Sequence, residues 1–239
     1  MLGVAWSTPR YDKVVDKDSL PLRLERHKRL FFASGQENTK LQASFKIPII
    51  YESKLYLAYT ETGFWELYQK RSSPFLDINH NLEIFYRFNI GEETILDLGL
   101  EHISNGRNEE ASRSWNDVYV QALMRFSDNF YVTTKVWQLF DIDATNEDIY
   151  KYLGFFEVEL GFQNVNWKRF QQNEIFLKIR PGGRLDPSDG YYTFDAGVRF
   201  KFDAFKGFPH FFISYYNGYA ENQIQYNRYI RAIRFGLTF

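Results

Sequence analysis

The chain has 239 residues, a formal net charge of −1 and no cysteine. That length suits one large domain or one barrel; the balanced charge gives no electrostatic footprint for nucleic acid or another polyanion, and the missing thiols exclude a disulfide framework and thiolate chemistry. No run of about 18 apolar residues occurs, which excludes a spanning helix, while 19% aromatic residues and a mean hydropathy of −0.44 suit a barrel whose lipid and lumen faces alternate.

The opening Met1-Leu2-Gly3-Val4-Ala5-Trp6 lacks the basic start and the apolar stretch of a secretory signal. An exported chain would therefore begin here as a mature form with an added Met. Residues 1–25, with Pro9 and Pro21 and no clean period, read as an irregular N-terminal arm, and 26–239 as a transmembrane barrel. Arg26–Ala33, around Leu30-Phe31-Phe32, is the first candidate strand. From Thr39 onward, two-residue alternation recurs almost to the last residue. Leu41, Ala43, Phe45, Ile47 and Ile49 alternate with Lys40, Gln42, Ser44 and Lys46, and Leu55, Leu57 and Tyr59 follow a turn near Glu52-Ser53. Leu96, Leu98 and Leu100 alternate with Asp97, Gly99 and Glu101; Val118 to Phe126 alternate with Asp117, Tyr119, Gln121 and Arg125. Tyr152, Phe156, Val158 and Leu160 form the next apolar row, then Tyr192 to Phe200, then Ile233, Phe235, Leu237 and Phe239.

Eleven strands are legible from Thr39, and Arg26–Ala33 would complete the even number usual in bacterial barrels. At about 10 to 14 residues they exceed ordinary soluble strands and fit a tilted crossing of a bilayer. Asp128-Asn129 and Asn164-Val165-Asn166 read as short turns at one end, Asn105–Ala111 and Pro181–Gly190 as longer loops at the other. The fold class is thus all-β: a transmembrane antiparallel β-barrel of about twelve strands. A soluble barrel would put its apolar residues inside. Here the inner positions include Lys46, Arg87, Asp97, Glu101, Asp117, Arg125, Lys135, Glu157, Glu159, Arg199 and Lys201, a mixture that fills a narrow lumen with paired charges.

One place breaks the pattern. His102 and Ser104 share the outward face of a strand end, about 7 Å apart, and a hairpin brings Asn116 beside them on the same face. A serine needs a base to be nucleophilic, and the base needs a third group to fix its tautomer. Alternation alone also allows a plainer meaning: three polar groups lying at headgroup depth. The sequence has no G-x-S-x-G elbow, H-E-x-x-H or Walker loop. His27, His80 and His210 are scattered and read as surface or rim residues.

Glu101-His102-Ile103-Ser104-Asn105-Gly106-Arg107, followed by Ser112-Arg113-Ser114-Trp115-Asn116, closely resembles the motif of the outer-membrane phospholipase A family. Tyr59-Thr60-Glu61 through Trp65, and Ser72-Ser73-Pro74-Phe75, resemble a second block of that family. The resemblance implies a bacterial outer-membrane enzyme that cleaves sn-1 and sn-2 acyl esters of membrane phospholipids, depends on Ca²⁺ and is activated as a homodimer. It makes Ser104 the nucleophile, His102 the base, Asn116 the orienter and the Gly106 N–H an oxyanion donor. Calcium would take the carbonyl of Arg107, the hydroxyl of Ser112 and the carbonyl of Ser72 from a second copy. Two departures stand out: the stretch between Trp65 and Ser72 is about one residue short, and Glu61 stands where the family can carry a dimer-bridging Gln. A carboxyl facing lipid there must be protonated or paired. The competing class is a non-enzymatic barrel, a small porin or adhesin scaffold, which an open, one-sign lumen would favour.

Overall fold

A computed structural model describes residues 24–50, 53–68, 72–164, 170–183, 191–202 and 209–239. A two-residue β1 (Glu25–Arg26) is followed by β2 (Phe31–Gly35), β3 (Thr39–Pro48), β4 (Leu55–Trp65), β5 (Phe75–Ile90), β6 (Thr94–Ser104) and β7 (Ser114–Arg125). Then come β8 (Phe130–Phe140), α1 (Ile149–Leu153), β9 (Phe156–Gln163), β10 (Phe170–Arg180), β11 (Thr193–Phe202), β12 (His210–Gly218) and β13 (Ile230–Thr238). Each of β2 to β13 pairs antiparallel with the next, and β13 returns to β2 through Leu237↔Phe32, closing a twelve-strand barrel. Closure leaves no open edge in the ring.

Alternation sorts the faces as the sequence suggests. Leu82, Ile84, Tyr86 and Phe88 of β5, Leu98 and Leu100 of β6, and Val118 and Val120 of β7 are exposed on the outside. Inside, Ala58, Phe85, Tyr119 and Trp137 form an apolar cluster, surrounded by ionised groups in pairs. Arg87 holds Asp97 with two bonds of 2.8 and 2.7 Å, Lys135 meets Glu101 at 2.6 Å, and Lys178 meets Glu157 at 3.0 Å. Taking a charge out of water is costly unless it is paired, so these partners are what let the lumen carry charge. They line a cavity of about 430 Å³. Above it, the β12–β13 loop is pinned by the N–H groups of Gln223 and Ile224, each 2.9 Å from the buried Asp77 carboxylate. A lumen filled in this way does not favour the porin alternative.

The expected first strand, Arg26–Ala33, is corrected. Glu25–Arg26 and Phe31–Gly35 both pair with β3, but the residues between them leave the ladder. His27 Nε2 lies 3.1 Å from Glu83, Lys28 Nζ 2.6 Å from Glu83, and Arg29 reaches Glu159 at 2.5 Å and Glu174 at 3.1 Å. The acids of three separate strands, β5, β9 and β10, outcompete the ladder for this segment. His27 is therefore a lumen residue rather than a surface one. Tyr152, expected in a strand with Phe156, sits in α1, which ends at Gly154 with φ +74°, a left-handed value that glycine adopts without steric cost. Strand lengths in the ring run from 5 residues in β2 and 8 in β9 to 16 in β5, a wider spread than expected. Residues 1–23 of the expected arm, Val165-Asn166 of one expected turn and 184–190 of one expected loop lie outside the described residues.

Candidate active site

Strand register assembles the site. In the β6–β7 hairpin His102 faces Asn116 and Ser104 faces Ser114; on the other flank, Ser104 faces His80 of β5. His102 and Asn116 both point to the outside, and His102 Nδ1 lies 2.8 Å from Asn116 Oδ1. His102 is exposed and Ser104 half-buried, two residues apart on one face. No Ser104–His102 hydrogen bond is formed among the described residues; such bonds commonly tighten only when substrate is bound. Asn116 is held from behind as well, its Nδ2 donating to Asp141 Oδ2 at 2.8 Å.

The loop after Ser104 is tied down by one buried side chain. Asn105 Oδ1 accepts from the Arg113 N–H at 3.0 Å, and its Nδ2 donates to the Ala111 carbonyl at 2.9 Å. That clamp closes the loop over a single 3₁₀ turn, Glu109–Ala111. Gly106 sits inside the clamp at φ +63°, which favours glycine. A side chain there would also crowd His80, since a Cβ would lie 3.3 Å from its Nε2. At the far end of the loop, Ser112 Oγ donates to Asp143 Oδ2 at 2.9 Å. The Thr145 N–H and hydroxyl, with help from Ser112, hold the Asp143 carboxyl below the usual carboxylate range. Arg107 is an exposed residue of this loop and anchors its guanidinium on the Leu76 carbonyl at 2.5 Å. Ser72 is exposed ahead of β5, and no contact among the described residues joins it to Arg107 or Ser112.

Glu61 is paired. Tyr59 Oη donates to Glu61 Oε2 at 3.0 Å and lies 2.7 Å from His80 Nδ1, while Glu61 and His80 approach to 3.7 Å. His80 is thus not an isolated rim residue: it bridges the Glu61 row to the strand end that carries Ser104. Asp141 and Asp143 stand outside every motif of the sequence, and Tyr59 entered only as part of the second family-like block, with no role of its own. The first two lie just past β8 in a loop with no motif; for Asp141, the one available clue was that it follows Phe140, the register partner of Asn116.

The family model for phospholipase A1 matches residues 11–239. The chain belongs to the phospholipase A1 family. It is 28% identical to phospholipase A1 of Proteus vulgaris over 206 residues, and 28% identical to that of Escherichia coli K12 over 204 residues. These alignments cover 81% and 80% of the chain, which spans just under two thirds, 66%, of either relative's length. Among solved structures, the outer-membrane phospholipase of Salmonella typhi, a dimer with bound calcium, superposes with a TM-score of 0.75 over 94% of each chain at 22% identity. The Escherichia coli outer-membrane phospholipase A superposes with a TM-score of 0.71 at 21% identity, over 88% of this chain and 95% of that one. These likenesses establish the twelve-strand fold, and with the family they make the chain a multi-pass barrel of the bacterial outer membrane.

Proposed function

We propose that the chain hydrolyses the sn-1 and sn-2 acyl esters of membrane phospholipids with Ser104, His102 and Asn116. The observation that carries this is the His102–Asn116 hydrogen bond on the lipid-facing side of the barrel, beside a serine. An outward catalytic set suits a substrate whose ester carbonyls lie at the headgroup boundary. With its Nδ1–H bonded to Asn116, His102 keeps the Nε2 lone pair for the Ser104 proton. Ser104 Oγ attacks the ester carbonyl carbon as His102 takes the proton, and the carbonyl oxygen becomes an oxyanion. The C–O bond to the glycerol breaks, and His102 returns the proton to the departing lysophospholipid oxygen. Water, deprotonated by His102, then releases the fatty acid and regenerates Ser104. The Gly106 N–H is assigned to the oxyanion; losing one such donor typically costs about 3 to 4 kcal/mol. The test is ester hydrolysis in detergent micelles, with and without Ca²⁺, for the native protein and Ser104→Ala.

The donors beside the site fit a hard cation, which prefers oxygen ligands. The Arg107 carbonyl, the Ser112 hydroxyl and the Ser72 carbonyl of a second copy would hold calcium, and the Asp143 carboxylate next to Ser112 adds the charge those neutral oxygens lack. When bound, the ion supplies positive charge for the oxyanion. EDTA is expected to abolish hydrolysis while leaving heat-modifiable barrel mobility unchanged. Crosslinking is expected to trap more dimer with Ca²⁺ and substrate present. Full activity in a chelated, strictly monomeric sample would contradict both.

Glu61 is proposed to lie at the dimer contact. Its carboxylate accepts from Tyr59 on the outer face, and a Gln there keeps that acceptor while adding a donor that can cross a two-fold axis. Glu61→Gln is therefore expected to keep or strengthen the dimer, and Glu61→Ala to weaken it with the barrel intact. Sedimentation in detergent decides between these; an Ala variant that dimerises like the native protein removes Glu61 from the interface.

A further inference from the structure

The third member of the proposed triad is a neutral amide, and a neutral amide has two defects in that role. It supplies no charge to the imidazolium that forms during the reaction. It is also nearly symmetric in shape, so it can rotate and offer its NH₂ to the imidazole in place of its oxygen. Rotation is the graver defect: an NH₂ facing Nδ1 demands a lone pair there, which moves the proton to Nε2 and leaves no base for Ser104. A triad driven into that tautomer loses about 10⁴-fold in kcat.

The structure carries a device that answers both. Asn116 Nδ2 lies 2.8 Å from Asp141 Oδ2 on one side, while its Oδ1 lies 2.8 Å from His102 Nδ1 on the other. A carboxylate only accepts hydrogen bonds, so Nδ2 must face it, and Oδ1 is thereby committed to His102. Asp141 follows directly on Phe140, the residue paired with Asn116 across β7 and β8. It takes φ +50°, a left-handed conformation that Asp tolerates better than most residues, and the carboxylate is delivered to the amide from there. We propose that Asp141 is a positioning residue for ester hydrolysis. It acts through Asn116 to fix the His102 tautomer, and it places one negative charge behind the amide, so that Ser104, His102, Asn116 and Asp141 work as a four-membered relay. This rests on the hydrolytic reading of Ser104, and it assigns a role to a residue outside the family motif of this sequence.

The test uses the full chain in micelles with Ca²⁺. Asp141→Gly removes the carboxylate without adding strain at a positive φ. It is expected to lower kcat by at least about tenfold, short of the about 10⁴-fold loss of a fully mis-tautomerised triad, with KM unchanged. Asn116→Asp alone sets two carboxylates against each other and is expected to be impaired. The exchanged pair, Asn116→Asp with Asp141→Asn, restores both hydrogen bonds with the charge now against His102, and is expected to recover most of the native kcat. A merely structural Asp141 would instead lower the folded fraction in Asp141→Gly and leave kcat per folded enzyme unchanged. An Asp141→Gly enzyme with native kcat, or an exchanged pair no better than Asn116→Asp alone, would overturn the proposal. Activity retained in Ser104→Ala would instead sink the hydrolytic reading, whatever Asp141 does.

Discussion

Ser104→Ala is expected to remove hydrolysis almost completely, by about 10⁴-fold or more, with no loss of the folded barrel. The size follows from what the residue does. Without Oγ there is no acyl-enzyme, and His102 and Asn116 are left orienting a proton acceptor with nothing to activate. What remains is binding and oxyanion stabilisation, the residual catalysis of a triad that has lost its nucleophile. The barrel is insulated from the change because Ser104 sits on the outer face at the end of β6, half-buried, away from the lumen pairs that hold the scaffold. Its backbone stays paired with Ser114 and His80 whatever the side chain. Micelle assays and heat-modifiable mobility on the same preparation separate the two effects. Turnover within tenfold of the native protein would mean that another group attacks the ester.

The elements that were legible share one physical origin. Where one face meets lipid and the other a charged lumen, a strand must alternate, and β3, β6, β7, β11 and β13 could be read directly from that period. The same rule put His102, Ser104 and Asn116 on one face, and the register of one hairpin brings His102 to Asn116. What was not legible depends on partners distant in sequence. Nothing in Arg26–Ala33 shows that Arg29 will meet Glu159 and Glu174, which are 130 and 145 residues away, so the break in that strand is invisible until the barrel closes. Tyr152 alternates like a strand residue, and only the turn at Gly154 makes it helical. Asp141 takes its place from a left-handed backbone conformation just past a strand end, which carries no periodic pattern. His80 belongs to no motif along the chain, because its neighbours Glu61 and Ser104 lie on the two flanking strands.

Arg234→Met is expected to give the largest loss of stability, about 3 to 5 kcal/mol. Arg234 lies on β13 at the seam where the barrel closes on β2, opposite Gly35. Only 2% of it is exposed. Its guanidinium takes both Glu221 oxygens, at 2.6 and 3.0 Å, together with the carbonyl and side chain of Asn38 at 3.1 and 2.9 Å. One side chain thus ties the β12–β13 loop and the β2–β3 turn to the seam. Methionine fills much of the same space, so the cost is electrostatic: among the described residues, the fully buried Glu221 carboxylate keeps only Lys40, at 3.4 Å. Replacing both partners, Arg234→Met with Glu221→Gln, removes the stranded charge and is expected to regain part of the loss. The pH dependence carries the same signature. Burial alone would raise the Glu221 carboxyl, but Lys40 and Arg234 outweigh it and hold the group below the ordinary glutamate range. A depressed carboxyl stabilises the fold fully above its unfolded value, and that contribution is lost as pH falls through the lower folded value. The native barrel should therefore weaken on acidification in that window, and Arg234→Met should weaken less, because its Glu221 no longer gains as much from being ionised. Urea unfolding from lipid vesicles, measured at neutral and acidic pH, reads both effects; a single variant that unfolds at the native urea concentration would show that the seam does not depend on this pair.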